Sequence, residues 1–370
     1  MTITDARLRP EANNLTLVRL VLASAVILTH CYWRTTGIQG ADDLSGFLGV
    51  PLSVYAVDGF FFLSGFLVYQ SLGRRGPADF LIARLARLWP ALAVAVIGTV
   101  LIGLAITTAP ASAYLRGDTA RFLGGNLSLA FGAYTLTGVQ CDGGPCNVNG
   151  SLWTLPWEAR CYLLLVGLGL TGLAGRRAML WFVLPATVAF ALLWHVPAVQ
   201  ALVRGLAGDG AVYLLDLVDR LWTLFAAGIA ASLLRERIRL NWLILLALFA
   251  ANLLAHRLGL GLHVRTLFIG YAVLCCGFLS ARRGAVSGRW PDYSYGMYIY
   301  AFPVMMAIAA LWPTRNYLAL SAANFLLTLP LAALSWHYVE KPVLDRVKRL
   351  RARRAAARPP LGDASRQAAD

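Results

Sequence analysis

A charge placed in hydrocarbon costs roughly 3 kcal/mol or more, so ionisable side chains that interrupt apolar stretches are where chemistry is sought first. Arg19 and His30 stand eleven residues apart in the apolar stretch 14–33. At 100° per residue that separation falls about 20° from three full turns. Both therefore lie on one helix face, about 16 Å apart along the axis. A neutral imidazole can take the proton of an attacking hydroxyl, and a guanidinium can grip a phosphate. The plainer alternative is an Arg19 that snorkels and a His30 that caps a span end. Asp58 lies in Asp58-Gly-Phe-Phe-Phe-Leu-Ser-Gly-Phe66 and needs a partner, most simply Arg19 or His30. Gly59, Ser64 and Gly65 around it permit close helix approach, so a packing segment with one buried ion pair is the other reading.

Arg84 and Arg87 stand three apart before Trp89-Pro90. They read as a phosphate fork or as a lipid anchor, with Pro90 suited to a first helical turn. Ser151-Leu-Trp153-Thr-Leu-Pro-Trp-Glu158 precedes Arg160. Two residues apart, Glu158 and Arg160 cannot face the same way, so one of them turns to the bundle interior. Asp216 and Arg220 have the i, i+4 spacing of a self-contained ion pair beside Asp219, and His195 reads as interfacial. Cys141 and Cys146 are separated by Asp-Gly-Gly-Pro, so they either join as a disulfide in an oxidising compartment or remain two thiols. No cysteine has zinc-type spacing, and no metal is expected.

The elements that carry these residues follow from composition. Of 370 residues, 58% are hydrophobic and only 14% are charged, and the mean hydropathy is +0.63. A soluble domain carries about 25% charge, so ordinary soluble enzymes, disordered chains and disulfide scaffolds are excluded. The first 13 residues are polar, unlike a cleavable signal peptide. Ten stretches approach the length of a membrane span: 14–33, 52–72, 88–109, 152–172, 178–196, 211–233, 241–256, 264–280, 293–312 and 317–338. Segment 120–138 is weakly apolar and reads as re-entrant or interfacial. The expected fold is an all-α polytopic membrane bundle of about ten helices with a cytoplasmic N-terminal tail (1–13), a membrane domain (14–340) and a basic, disordered cytoplasmic tail (341–370).

Net charge is +15, and 31 of the 33 basic residues are Arg. With both termini in the cytoplasm, 23 basic residues fall inside and 7, Arg265 among them, outside. The excess therefore reads as a topology signal and an attraction to anionic lipid, and no nucleic acid is expected.

Taken together, the motifs resemble the acyltransferase 3 family of integral membrane proteins, which O-acylate bacterial surface sugars. The match is carried by Arg19-x10-His30, by Asp58–Phe66 with Arg84-x-x-Arg87-x-x-Pro90, and by Ser151–Glu158. Tyr293-Ser-Tyr295-Gly-Met-Tyr298-Ile-Tyr-Ala-Phe-Pro303 and His337-Tyr-Val-Glu340-Lys-Pro342 complete it. It spans residues 13–342. One departure is that many members have a His shortly before the Pro of the fourth motif, where this chain has Ala301-Phe302.

The resemblance implies transfer of an acyl group, most often acetyl, from acetyl-CoA to a hydroxyl of a polysaccharide, oligosaccharide or lipid-linked sugar, in a bacterial inner membrane. It makes His30 and Arg19 the central residues, with Asp58 and Glu158 in support. Arg19, Arg84 and Arg87 would hold the acyl-CoA, and Trp153, Tyr295 and Tyr298 would bind substrate. In that scheme His30 is a general base oriented by Asp58 or Glu158. Ser64, Cys31 or His30 itself remains open as the nucleophile of an acyl-enzyme. The competing class is a ten-span transporter or flippase for a polar solute, using the Arg19, His30 and Asp58 set. Such proteins often show two similar halves, and none is evident between 14–172 and 178–338.

Overall fold

A computed structural model describes residues 1–141, 144–259 and 261–356. The long helices are α1 (Leu15–Thr36), α2 (Leu52–Arg75), α3 (Pro77–Ile106), α4 (Thr119–Ser128) and α5 (Thr154–Leu170). They continue as α6 (Arg176–Trp194), α7 (Pro197–Leu234), α8 (Trp242–Arg257), α9 (Gly261–Arg282), α10 (Ser294–Leu311) and α11 (Tyr317–Arg354). Eight of these are long and apolar enough to cross a membrane. The expected spans 152–172 and 241–256 are shorter helices, of 17 and 16 residues. A 3-10 turn, Gly150–Trp153, extends α5 at its start. Between α4 and that turn lies a two-residue hairpin, Gln140–Cys141 against Gly144–Pro145, closed by the Cys141–Cys146 disulfide. Segment 120–138 is the short helix α4 followed by irregular chain, and is not a span.

α10 is apolar on all sides and is the most enclosed of the spans, as a helix without a polar face must be. α1, α3 and α11 pack around it, and Phe60 of α2 meets its Tyr298 edge-on. α2 lies close against α7 through two glycines. A Cβ at Gly65 would strike the Phe225 carbonyl, and one at Gly228 would strike the Phe62 carbonyl. The outer surfaces stay apolar (Trp181, Phe182, Leu206, Leu243 and Leu326 are exposed), which suits lipid rather than water.

Three boundaries differ from expectation. α3 begins at Pro77, right after Gly76 at φ +71°, so Arg84 and Arg87 are helical and Pro90 sits within the helix rather than in its first turn. Neighbouring helices make such prolines tolerable in membrane spans. α7 starts fourteen residues before the expected 211, with a break at Gly208. The last part of α11, helical through Lys341–Ala356, is a basic helix instead of a disordered tail, tied to the start of α3 by Arg351–Asp79 at 3.2 Å. Its Lys, Arg, Leu and Ala residues are strong helix formers. The remainder, 357–370, lies outside the described residues.

The N-terminal segment is docked rather than free. The Met1 amino group donates to the Leu240 carbonyl, and Ile3 N–H donates to Arg235 O. Asn14 is buried, bridging Gly277, Val286 and Ser287. The segment therefore lies at the end of the bundle that holds the α7–α8 and α9–α10 connections.

Candidate active site

A cavity of about 140 Å³ opens between α1, α2, α3, α5 and α10. It gathers six of the expected site residues: Arg19, Arg84, Arg87, Glu158, Tyr295 and Tyr298. Each comes from a helix whose apolar faces are fixed by packing, so the polar groups are held on rigid elements.

The arginines are organised by acids from distant parts of the chain. Asp292 Oδ2 lies 2.8 Å from Arg19 Nη1 and 2.9 Å from Arg87 Nη2. Its Oδ1 accepts from Ser294 N–H and, at 2.5 Å, from Ser294 Oγ, at the start of α10. Glu340 lies in the π turn Trp336–Glu340 within α11 and takes the other side of Arg87 at 2.5 Å. Glu340 also accepts from Ser335 Oγ, whose partner is Tyr300. The Arg87 guanidinium packs between the rings of Tyr295 and Trp336. Burial opposes ionisation of Asp292, but Arg19 and Arg87 beside it, with the Ser294 hydrogen bonds, hold its carboxyl down at about 2.

Arg84 is different. Among the described residues no carboxylate pairs with it, and its buried Nε has no hydrogen-bond partner. Its guanidinium, which lines the cavity, lies 5.9 Å from the Phe80 ring centre. An unpartnered buried donor of this kind is costly unless a ligand supplies its acceptor.

Glu158 faces the cavity, and Arg160 turns outward over Trp157 to the Ala130 carbonyl. Glu158 Oε1 accepts hydrogen bonds from Tyr162 and, at 3.2 Å, from Ser64. Tyr298 meets Thr154 at 2.9 Å, and the Tyr295 hydroxyl donates to the Leu88 carbonyl. The two tyrosines therefore present ring faces, not free hydroxyls.

His30, Asp58 and Trp153 do not line this cavity. The His30 ring meets Phe302 edge-on at 4.9 Å. Phe302 is four residues after the cavity-lining Tyr298 on α10, about 6 Å farther along the same face. His30 thus sits roughly one turn beyond the cavity, beneath the Gly150 turn that packs on Phe302. Among the described residues no carboxylate touches it, so neither Asp58 nor Glu158 orients the imidazole as expected. Trp153 is half-buried against the neighbouring apolar cluster.

Asp58 is fully buried, and its partners are neither Arg19 nor His30. Arg220 holds Oδ1 through Nε (2.8 Å) and Nη2 (2.7 Å), and Arg265 Nε holds Oδ2 at 2.8 Å. This corrects two further expectations. Arg220 does not pair with Asp216, which accepts instead from Trp194 Nε1. Arg265 is no loop cation but a buried one on α9. His195 is half-exposed and pairs with Asp219 at 3.0 Å. A double-ended ion pair across α2, α7 and α9 is a means of fixing register in lipid.

Sequence reasoning missed Asp292 as a site residue. It is the single acidic residue between Glu236 and Glu340, and a lone acid at a span mouth is a usable signal.

Comparison with known proteins accords with the geometry. The acyltransferase domain family matches residues 13–337. An O-acetyl transferase of Shigella phage Sf6 is 27% identical over 360 residues, covering 91% of this chain and 97% of the relative. No solved structure matches the chain. The transporter alternative gains nothing from these matches. An arginine-lined cavity inside an apolar helical bundle, matched by the family over nearly its whole length, shows that the chain belongs to the acyltransferase 3 family of multi-pass membrane O-acyltransferases.

Proposed function

We propose that the protein transfers an acetyl group from acetyl-CoA to a hydroxyl of a cell-surface or exported carbohydrate in a bacterial inner membrane, with His30 as general base. The observation that carries the donor assignment is Arg84, a half-buried cation whose buried Nε has no partner among the described residues and which lines the cavity beside Arg19 and Arg87. Arg forks suit phosphate, and acyl-CoA offers phosphates at one end of a long thin arm. The Arg19–His30 separation of about 16 Å suits that arm, with phosphates at the arginines and the thioester towards His30. The name of the phage relative, O-acetyl transferase, supports acetyl as the group moved. Both chain ends would face the cytoplasm, where acetyl-CoA is found.

The chemistry balances without a further reagent. His30 takes the proton of the acceptor hydroxyl as its oxygen attacks the thioester carbon. The C–S bond breaks, and the protonated imidazole returns the proton to the departing thiolate. The products are the O-acetyl ester and CoA. With no carboxylate on His30 among the described residues, the imidazole acts as a neutral base held by packing against Phe302. Among the described residues no arginine pairs with the cavity-lining Glu158, and the hydrogen bonds it accepts from Ser64 and Tyr162 fix its direction.

The test is a reconstitution. Purified protein, acetyl-CoA and candidate oligosaccharides are incubated, and products are read by mass spectrometry. Gain of one acetyl group on sugar, dependent on acetyl-CoA and weakened by Arg84→Ala at low donor concentration, supports the reading. Transfer that proceeds with no CoA thioester present would overturn the donor assignment.

A further inference from the structure

Arg19 on α1 and Arg87 on α3 repel each other, and neither helix alone brings them together. One carboxylate oxygen does. Asp292 Oδ2 touches a guanidinium nitrogen of each, so those two nitrogens lie within about 6 Å of one another. The carboxylate is itself fixed, because its other oxygen is locked by the Ser294 backbone and hydroxyl in the first turn of α10. Direction is thus passed from the most enclosed helix of the bundle to two cations on different helices. Glu340 steadies only the far side of Arg87 and does not touch Arg19. Among the described residues, Asp292 alone joins the two arginines.

We propose that Asp292 is a positioning residue of the donor site, aligning Arg19 and Arg87 into a fork beside the free Arg84 that receives a phosphate of acyl-CoA. The inference rests on the donor reading above. Asp292 carries no chemistry in the transfer itself. It sets the spacing of two positive groups that one phosphate can bridge. Without its charge, Arg19 is free to leave the cavity wall and Arg87 remains bound to Glu340 alone. Donor affinity then falls, while the chemical step, one span-half away at His30, proceeds once donor is bound.

The experiment uses the full-length purified protein and its Asp292→Asn, Asp292→Glu and Arg84→Ala forms. CoA binding is measured by calorimetry, and KM and kcat are measured with acetyl-CoA. Asp292→Asn is expected to raise the Kd for CoA and the KM for acetyl-CoA at least about tenfold, with kcat changed far less. Asp292→Glu should recover a large part of that affinity, because it restores the anion one methylene away. If Asp292→Asn does not fold, Asp292→Glu carries the test through a smaller rise in Kd. Unchanged CoA affinity in the Asp292 variants, alongside weakened affinity in Arg84→Ala, overturns the positioning role. A fall in kcat with Kd unchanged overturns it too. If Arg84→Ala also binds CoA normally, the donor reading itself fails and the inference with it.

Discussion

Replacing Asp58 by Asn removes one charge and keeps the side-chain shape, so no cavity is created. Asp58 is fully buried, with a hydrogen bond of 2.8 Å from each of Arg220 and Arg265 and a further ion contact of 2.7 Å from Arg220. The substitution leaves two guanidinium groups in the bundle without an anion. Removing one partner of a buried ion pair costs about 3–5 kcal/mol, and each charge-assisted hydrogen bond contributes about 1.5–3 kcal/mol. An amide recovers part of this as a neutral acceptor, so a loss of about 4 kcal/mol is expected. That is a large share of the about 5–15 kcal/mol that holds a typical domain. The assay is equilibrium unfolding in detergent micelles, followed by helical signal, with acetyl transfer measured per folded molecule. Replacing Asp58, Arg220 and Arg265 together by Leu should return most of the stability, because the desolvation cost disappears with the charges. An Asp58→Asn protein as stable as wild type yet inactive would refute the reasoning, and would return Asp58 to the reaction itself.

Other outcomes follow from the same geometry. Arg84→Ala should raise the KM for acetyl-CoA at little cost in stability, whereas Arg87→Ala should destabilise by about 3 kcal/mol by leaving the buried Glu340 without its cation and Asp292 with Arg19 alone; paired thermal unfolding and kinetics check both. Asp292 has a folded carboxyl near 2 against an ordinary 3.8, so its contribution is fully present above about pH 4 and is lost as pH falls through 2. Unfolding midpoints against pH should show this decline, and Asp292→Asn should flatten it. Alkylation and mass analysis without reductant should find Cys141 and Cys146 blocked.

Much of this molecule is readable from residue order because lipid imposes a strict solvent rule. Runs of about 20 apolar residues become helices, and Arg19, Arg84, Arg87, Glu158, Tyr295 and Tyr298, singled out in separate motifs, line one cavity. What cannot be read are partnerships set by packing. Asp58 joins Arg220 and Arg265 across separations of 162 and 207 residues, while the i, i+4 spacing of Asp216 and Arg220 offers a nearer local pair that the helix faces do not use. Asp292 escapes notice because it lies one residue outside the apolar span it serves. The start of α3 is displaced for a similar reason. Residues 77–87 are helical but too polar to register as a span, and Pro90 draws the boundary to itself.

The most direct measurement is acetyl transfer from acetyl-CoA by His30→Ala protein, purified in a folded form that still binds CoA. With a general base removed, the rate should fall by about 10²–10⁴-fold while CoA affinity stays near that of wild type, since His30 lies beyond the arginine cavity. Transfer at the wild-type rate by that variant would contradict the account.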